Sequence, residues 1–352
     1  MISTDSLQTL GRAADAPAPL VRVRGLHKRF ALHPGRLLPW RFDKRRRGWH
    51  RQQIHAVNGV DLDIQRGDAL CVVGESGCGK STLARLIMGL LKANDGEVHY
   101  DGQRVDRLDA KQWRPFRRRM QMIFQNPDSS LNPRLTVRQT LEEPIRFHHP
   151  DWSRSKIHQR ADALMDDVGI DIGWGERFAH ELSGGQRQRI AIARALSVDP
   201  EFIVADEPVS ALDVSVQAQI MNLLMDAQAE RRLTYLFITH DLAVVEHFAT
   251  RVAVMYRGTI CELADADTLF AHPRHPYTRA LLAASPRLED TDAEPLRLSD
   301  DAPPPIGTPR GCVFRERCPH VNARCQQETP AALVLRDGQR VACHAVEEGR
   351  IP

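Results

Sequence analysis

The sequence predicts an α/β fold, with helices packed on a mostly parallel sheet, and three observations carry that expectation. The apolar run Ala69-Leu70-Cys71-Val72-Val73 leads straight into Gly74-Glu75-Ser76-Gly77-Cys78-Gly79-Lys80-Ser81-Thr82, a complete Walker A pattern at a strand-to-helix turn. A second apolar run, Phe202-Ile203-Val204-Ala205, ends abruptly in Asp206-Glu207. Between them stands Leu182-Ser183-Gly184-Gly185-Gln186, a turn signal opening a helix-like stretch, with Leu182 102 residues after Lys80.

The elements follow in order. Residues 1–19 are polar and Ala/Pro-containing and read as a mobile tail. Val21–Val23 and Val57–Ile64 read as strands flanking a basic insertion, residues 31–54, in which Arg36, Arg41, Lys44, Arg45, Arg46, Arg47 and Arg51 are opposed only by Asp43. That insertion fits a solvated loop or a contact with acidic lipid headgroups. Leu83, Leu86, Ile87 and Leu90 recur at helical spacing, so a helix begins at Lys80. Met120–Phe124 reads as a strand capped by Gln125, and residues 126–182 break the strand pattern in favour of helices, with Ala161, Leu164, Met165 and Val168 on one apolar face. Helices are expected again over 186–196 and through Val216, Ile220, Leu223, Leu224 and Ala227. Tyr235–Thr239, followed by His240, and Val252–Tyr256, followed by the turn Arg257-Gly258, read as further strands, closing a first domain, 20–270. Residues 271–352 form an appendage that starts with an acidic, proline-rich linker running through Pro303-Pro304-Pro305.

The residue types specify phosphate chemistry. Glycines let backbone N–H groups wrap around phosphate oxygens at a helix N-terminus, Lys80 supplies a full charge, and the Ser81 hydroxyl suits a magnesium ion. ATP and magnesium are therefore the expected ligands of residues 74–82. Adjacent carboxylates at a strand end are costly without a cation or water beside them. Asp206 is assigned to the magnesium shell and Glu207 to polarising an attacking water. Ser183 is a good N-cap, and the glycines after it expose N–H groups, which makes residues 183–186 a second anion site. Taken alone, Gln125 is a polar strand cap and His240 an ordinary histidine.

Composition narrows the class. Lys plus Arg total 48 against 45 Asp plus Glu, and a net charge of +3 does not suggest a nucleic-acid coat. The N-terminus lacks the basic and apolar regions of a secretory signal, and no stretch approaches 18 consecutive apolar residues, so a cytoplasmic chain is expected.

With these residues the chain resembles the ATP-binding subunits of ATP-binding-cassette (ABC) transporters, whose motifs stand here in the family's order: Walker A from Gly74 to Ser81, the Q-loop at Gln125, the signature from Leu182 to Gln186, Walker B ending at Asp206-Glu207, the D-loop at Ser210-Ala211-Leu212-Asp213 and the switch histidine at His240. The resemblance implies a RecA-like core with an antiparallel β-subdomain, a helical subdomain over 126–182 and adenine stacking by Phe30, for which a core phenylalanine is an equally good reading. It gives Gln125 a place beside magnesium and water, and His240 a contact with the γ-phosphate. It also implies a head-to-tail dimer that sandwiches each ATP between one subunit's Walker A loop and the other's signature.

Gln125-Asn126-Pro127-Asp128-Ser129-Ser130-Leu131-Asn132-Pro133-Arg134, the run Asp206 to Gln217 and His275-Pro276-Tyr277-Thr278 are similar to dipeptide/oligopeptide/nickel importer ATPases, and together with Ser183-Gly184-Gly185-Gln186-Arg187-Gln188-Arg189 they favour the F type. That implies a D-type ATPase partner in a heterodimer, or else a homodimer, with two membrane permease subunits and an extracytoplasmic substrate-binding protein. The chain would sit peripherally on the cytoplasmic face of the inner membrane. Nickel or glutathione import is the neighbouring alternative, and a soluble ABC ATPase acting on DNA or ribosomes the distant one.

Four of the seven cysteines, Cys312, Cys318, Cys325 and Cys343, cluster near the end. Four thiolates suit a zinc ion or a 4Fe–4S cluster, while the spacing matches neither a zinc ribbon nor a ferredoxin and also allows reduced, unligated thiols. The resemblance of Gly311–Pro319, Cys325 and Val341–His344 to the extension of peptide-importer ATPases tips the expectation toward 4Fe–4S; His320 and His344 are expected to face solvent, with substitution as ligands the alternative.

Overall fold

Two layers of strand meet around the Walker A loop in the computed structural model, which describes residues 18–31, 40–43, 48–51, 53–284 and 310–351. In chain order, β1 (Val21–Ala31) precedes a hairpin of β2 (Trp40–Asp43) and β3 (Gly48–Arg51), and then β4 (Gln53–Ile64), which pairs antiparallel with β1. After β5 (Ala69–Val73) and α1 (Lys80–Ile87), β6 (Asp95–Tyr100) and β7 (Gln103–Arg104) complete a four-stranded antiparallel sheet in the order β4-β1-β6-β7. Residues 1–17, most of the basic cluster's charge and the proline-rich stretch of 285–309 lie outside the described residues.

The next segment contains α2 (Arg114–Arg119), β8 (Met120–Ile123), α3 (Pro127–Ser130), α4 (Val137–His148), α5 (Arg154–Asp167) and α6 (Gly184–Leu196). The absence of strands across 126–182 follows from its sequence: Thr136 and Gln139 form a capping box at α4, Ser153 caps α5, and Ala161, Leu164, Met165 and Val168 are all buried. Then come β9 (Phe202–Asp206), α7 (Val214–Arg231), β10 (Thr234–Ile238), α8 (Leu242–Phe248), β11 (Arg251–Tyr256) and β12 (Thr259–Asp265). The chain finishes with α9 (Ala266–Ala271), α10 (Pro276–Ala283), α11 (Ala323–Gln327), β13 (Leu333–Val334), β14 (Arg340–Val341) and α12 (His344–Glu347).

The main sheet has the order β13-β14-β12-β11-β5-β10-β9-β8, with β11, β5, β10, β9 and β8 parallel. Every residue of β5, β9 and β10 is buried, as expected for parallel strands covered on both faces. Alternation decides which layer each side chain meets. Ala69, Cys71 and Val73 join the core beneath α4–α8, whereas Leu70 and Val72 pack with α1 and the antiparallel sheet. The appendage is not a separate layer: β14 pairs with β12 through Glu262↔Val341 and Leu263↔Arg340, so it extends the main sheet. Two-residue strands carry no alternation, which is why the sequence did not announce them.

Parallel register collects the functional ends. Ile238 is level with both Val72 of β5 and Asp206 of β9, so the segments after β5, β9 and β10 emerge side by side at the sheet's C-terminal edge.

Candidate active site

Glycine is obligatory at two positions of the Walker A loop. Gly79 has φ +112°, and a Cβ there would lie 2.1 Å from the Ala56 carbonyl oxygen; at Gly74, φ +150°, it would lie 2.1 Å from that of Met255. The loop is thus wedged between β4 and the end of β11. Lys80 is buried at the start of α1, and its ammonium donates to the carbonyls of Gly74 (2.7 Å) and Glu75 (3.0 Å), inside the concavity of the loop.

Ser81 Oγ donates to Asp206 Oδ1 at 2.7 Å. Burial pushes the Asp206 carboxyl above its ordinary value, against the opposing effect of that hydrogen bond. A buried carboxylate short of compensation, joined to a hydroxyl, is a donor set that fits a hard divalent cation such as magnesium. Glu207 differs in kind from its neighbour. Its backbone is left-handed, φ +47°, and its N–H donates to the Ile238 carbonyl at 2.9 Å. A non-glycine residue in this region costs about 1–3 kcal/mol. The conformation turns the side chain out of the strand: Gln125 Nε2 donates to Glu207 Oε2 at 2.8 Å, and His240 Nδ1 lies 3.5 Å from Oε1. Gln125, Glu207 and residues 76–82 line one cavity, together with residues 54–56 and Arg257.

The signature residues stand elsewhere. Ser183 Oγ accepts from the Gln186 N–H and Gln186 Oε1 accepts from the Ser183 N–H, a reciprocal capping box at the start of α6. None of residues 183–186 lines the Walker A cavity. Gly185 is a close-approach glycine, since a Cβ there would lie 2.5 Å from Val216 Cγ1 of α7. Phe30 is 39% exposed on β1, opposite Ile54, with Lys28 Nζ 5.2 Å from its ring centre; it is not a core residue.

Several residues at the loop were not singled out as site residues by the sequence. Gly258, in the turn after β11, donates its N–H to the Cys78 carbonyl at 2.8 Å, and Arg257 beside it lines the cavity. The Glu75 N–H donates to Tyr277 Oη at 3.0 Å, and the Glu75 carboxylate takes both terminal nitrogens of Arg317, each at 2.9 Å. Tyr277 and Arg317 were signalled only by position within the His275–Thr278 and Cys312–Cys318 segments, and Arg257 and Gly258 only by the turn that follows the strand.

The expected 4Fe–4S cluster is not supported. Among the described residues no group of three or more His, Cys, Asp or Glu side chains is arranged to hold a metal ion. Cys312, Cys325 and Cys343 are buried and Cys318 half-buried. Burial raises the thiols of Cys318 and Cys343 and pushes that of Cys312 up to about 11, with the neighbouring cysteines adding to the rise. His344 is no substitute ligand either: it is buried, with Nε2 3.1 Å from the Glu328 carbonyl oxygen and Nδ1 3.3 Å from Glu347.

Comparison with known proteins agrees with this geometry. Residues 57–210 match the family model described as ABC transporter, and residues 261–325 that of the oligopeptide/dipeptide transporter C-terminal region. The dipeptide transport ATP-binding protein DppF of Escherichia coli (strain K12) is 45% identical over 95% of this chain and 96% of its own length. The probable peptide ABC transporter ATP-binding protein y4tS of Sinorhizobium fredii is 50% identical over 84% of this chain and 85% of its own. Among solved structures, a dimeric ATP-binding cassette in a post-hydrolysis state, bound to ADP and Pi, superposes with TM-score 0.61 at 29% identity, covering 70% of this chain and 98% of that one. The chain belongs to the ABC transporter family as an ATP-hydrolysing subunit, in the branch of oligopeptide and dipeptide transport ATP-binding proteins.

Proposed function

We propose that this chain drives uptake of dipeptides or oligopeptides by hydrolysing ATP at the interface with a second ATPase subunit, while two separate permease subunits form the path. Peptide names among its relatives favour peptides over nickel or glutathione, and over an ATPase acting on DNA or ribosomes. No helix among the described residues is long and apolar enough to cross a membrane, in keeping with a peripheral subunit on the cytoplasmic face. A D-type partner and a substrate-binding protein complete the assembly we propose.

In this reading Lys80 and the loop N–H groups hold the β- and γ-phosphates, and Ser81 and Asp206 hold magnesium, which when bound neutralises phosphate charge. Glu207 accepts the proton of the attacking water. Gln125 and His240 orient that carboxylate through the contacts at its two oxygens. Phe30, exposed beside Ile54, is free to stack on adenine.

The observation that carries the dimer is the separation of the two anion sites within one chain. Ser183 is exposed on α6, away from the Walker A cavity, and Ser210, Ala211 and Val214 are exposed as well, Val214 at 82%. A second chain is needed to bring a signature over the nucleotide. Mixed dimers test this: Ser183→Arg on one subunit should abolish hydrolysis at the other subunit's Walker A site. Loss confined to the mutant's own site would refute the head-to-tail arrangement.

A further inference from the structure

Taking residues 74–82 as the ATP-phosphate loop proposed above, we propose that the C-terminal segment around Arg317 braces that loop, with Arg317 a positioning residue that neutralises Glu75 and so sets the affinity for nucleotide.

Glu75 places a carboxylate within a loop built to receive a polyanion, where it opposes the phosphates unless its charge is cancelled. Arg317 cancels it with a fork: both terminal guanidinium nitrogens lie 2.9 Å from the two carboxylate oxygens. The pair is largely shielded, with side-chain exposures of 10% for Arg317 and 24% for Glu75. Arg317 Nε is buried with no hydrogen-bond partner, so the guanidinium depends on Glu75 and on a 3.4 Å contact with Tyr256 Oη. The two residues are 242 positions apart in sequence, so only the tertiary fold brings them together.

The same segment fixes the loop's backbone. Tyr277 Oη accepts the Glu75 N–H, and its ring packs against those of Tyr256 and Phe314, with centroids 4.6 and 5.6 Å away. Glu316, beside Arg317, lies 3.1 Å from Arg257, which lines the cavity. Two consecutive residues of the appendage therefore hold Glu75 of the loop and Arg257 of the cavity lining.

The test uses the full-length chain and measures ATP affinity and steady-state hydrolysis at low salt. Arg317→Met should weaken ATP binding about tenfold, a factor that one uncompensated unit charge within a Debye length can produce. The rate at saturating ATP should stay within about threefold, so the loss falls on KM rather than kcat. Added salt should narrow the affinity gap. Placing Glu75→Gln in the same chain should bring affinity back to within about threefold of wild type, because the uncompensated charge is gone. Wild-type affinity in Arg317→Met would overturn the proposal. So would a double variant that binds as weakly as Arg317→Met, since the loss would then come from packing. Lys80→Ala separates this from the underlying reading: undiminished ATP binding there refutes the phosphate loop itself, whereas a loss there with none in Arg317→Met refutes only the brace.

Discussion

Replacing Glu207 by glutamine should separate catalysis from everything else the residue does. The change is nearly isosteric, and the backbone features that set its position, φ +47° and the N–H bond to Ile238, are independent of side-chain charge. The amide oxygen can still accept from Gln125 Nε2, and the amide nitrogen can donate toward His240, so both contacts of the carboxylate survive in altered form. What is lost is one charge-assisted hydrogen bond at a side chain 14% exposed, about 1 kcal/mol of folding stability or less. On the proposed assignment, what is lost in the reaction is the proton acceptor, about 10²–10⁴ in rate, or roughly 3–5 kcal/mol of barrier. Single-turnover hydrolysis, ATP affinity and urea denaturation measured on the same preparation resolve the two. The expected result is hydrolysis down by at least about a hundredfold, ATP binding retained and a long-lived ATP-bound dimer. Hydrolysis within about threefold of wild type would refute the assignment of Glu207 as the base.

Two further perturbations follow from geometry. Gly79→Ala forces a Cβ into the Ala56 carbonyl, 2.1 Å away, at φ +112°, and should cost more than about 2 kcal/mol in urea denaturation while abolishing ATP binding; wild-type stability would show the loop to be freely adjustable. His275 is buried, which lowers its pKa to about 3 in the folded chain, while the unfolded chain titrates near 6.5. The unfolded state therefore takes up the proton first, so His275's contribution is fully present above about pH 6.5 and is lost toward pH 3, by about 1.4 kcal/mol per pH unit. The Glu262 carboxyl, which accepts the His275 N–H and is raised by burial, titrates with the opposite sign, so the comparison is with His275→Asn, which can keep the cap on α10. Urea midpoints should fall less steeply with acid in the variant; parallel slopes would contradict the buried neutral imidazole.

What the sequence made legible was whatever leaves a local trace. The buried strands ending at Val73, Asp206 and Ile238, the helix starting at Lys80 and the helical stretch beneath Ser183 all follow from unbroken apolar runs, caps and 3.6-residue periodicity. The illegible parts depend on pairing across long separations. Arg317 meeting Glu75, β14 adding to β12 and Gly258 closing on Cys78 carry no periodicity or motif, only tertiary placement. The cysteines erred in the other direction. Composition offered four thiols in 32 residues, but proximity in sequence does not fix a ligand geometry, and among the described residues no group of three or more is arranged to hold a metal ion.

Adjacent carboxylates acquire different chemistry here because the strand ends between them. Asp206 is the last residue of β9, 2% exposed, its oxygen bonded to Ser81 and its ionised form penalised by burial. Glu207 is the first residue past the strand, flipped by its left-handed backbone toward Gln125 and His240 and open to the cavity. A carboxylate that burial destabilises gains most from a neighbouring cation, whereas one that stays beside solvent can exchange a proton. Had the turn come one residue later, Glu207 would have continued β9 and pointed to the opposite face of the sheet, and neither Gln125 nor His240 could have reached it. The left-handed residue at the end of β9 thus gives the two members of the acidic pair different surroundings.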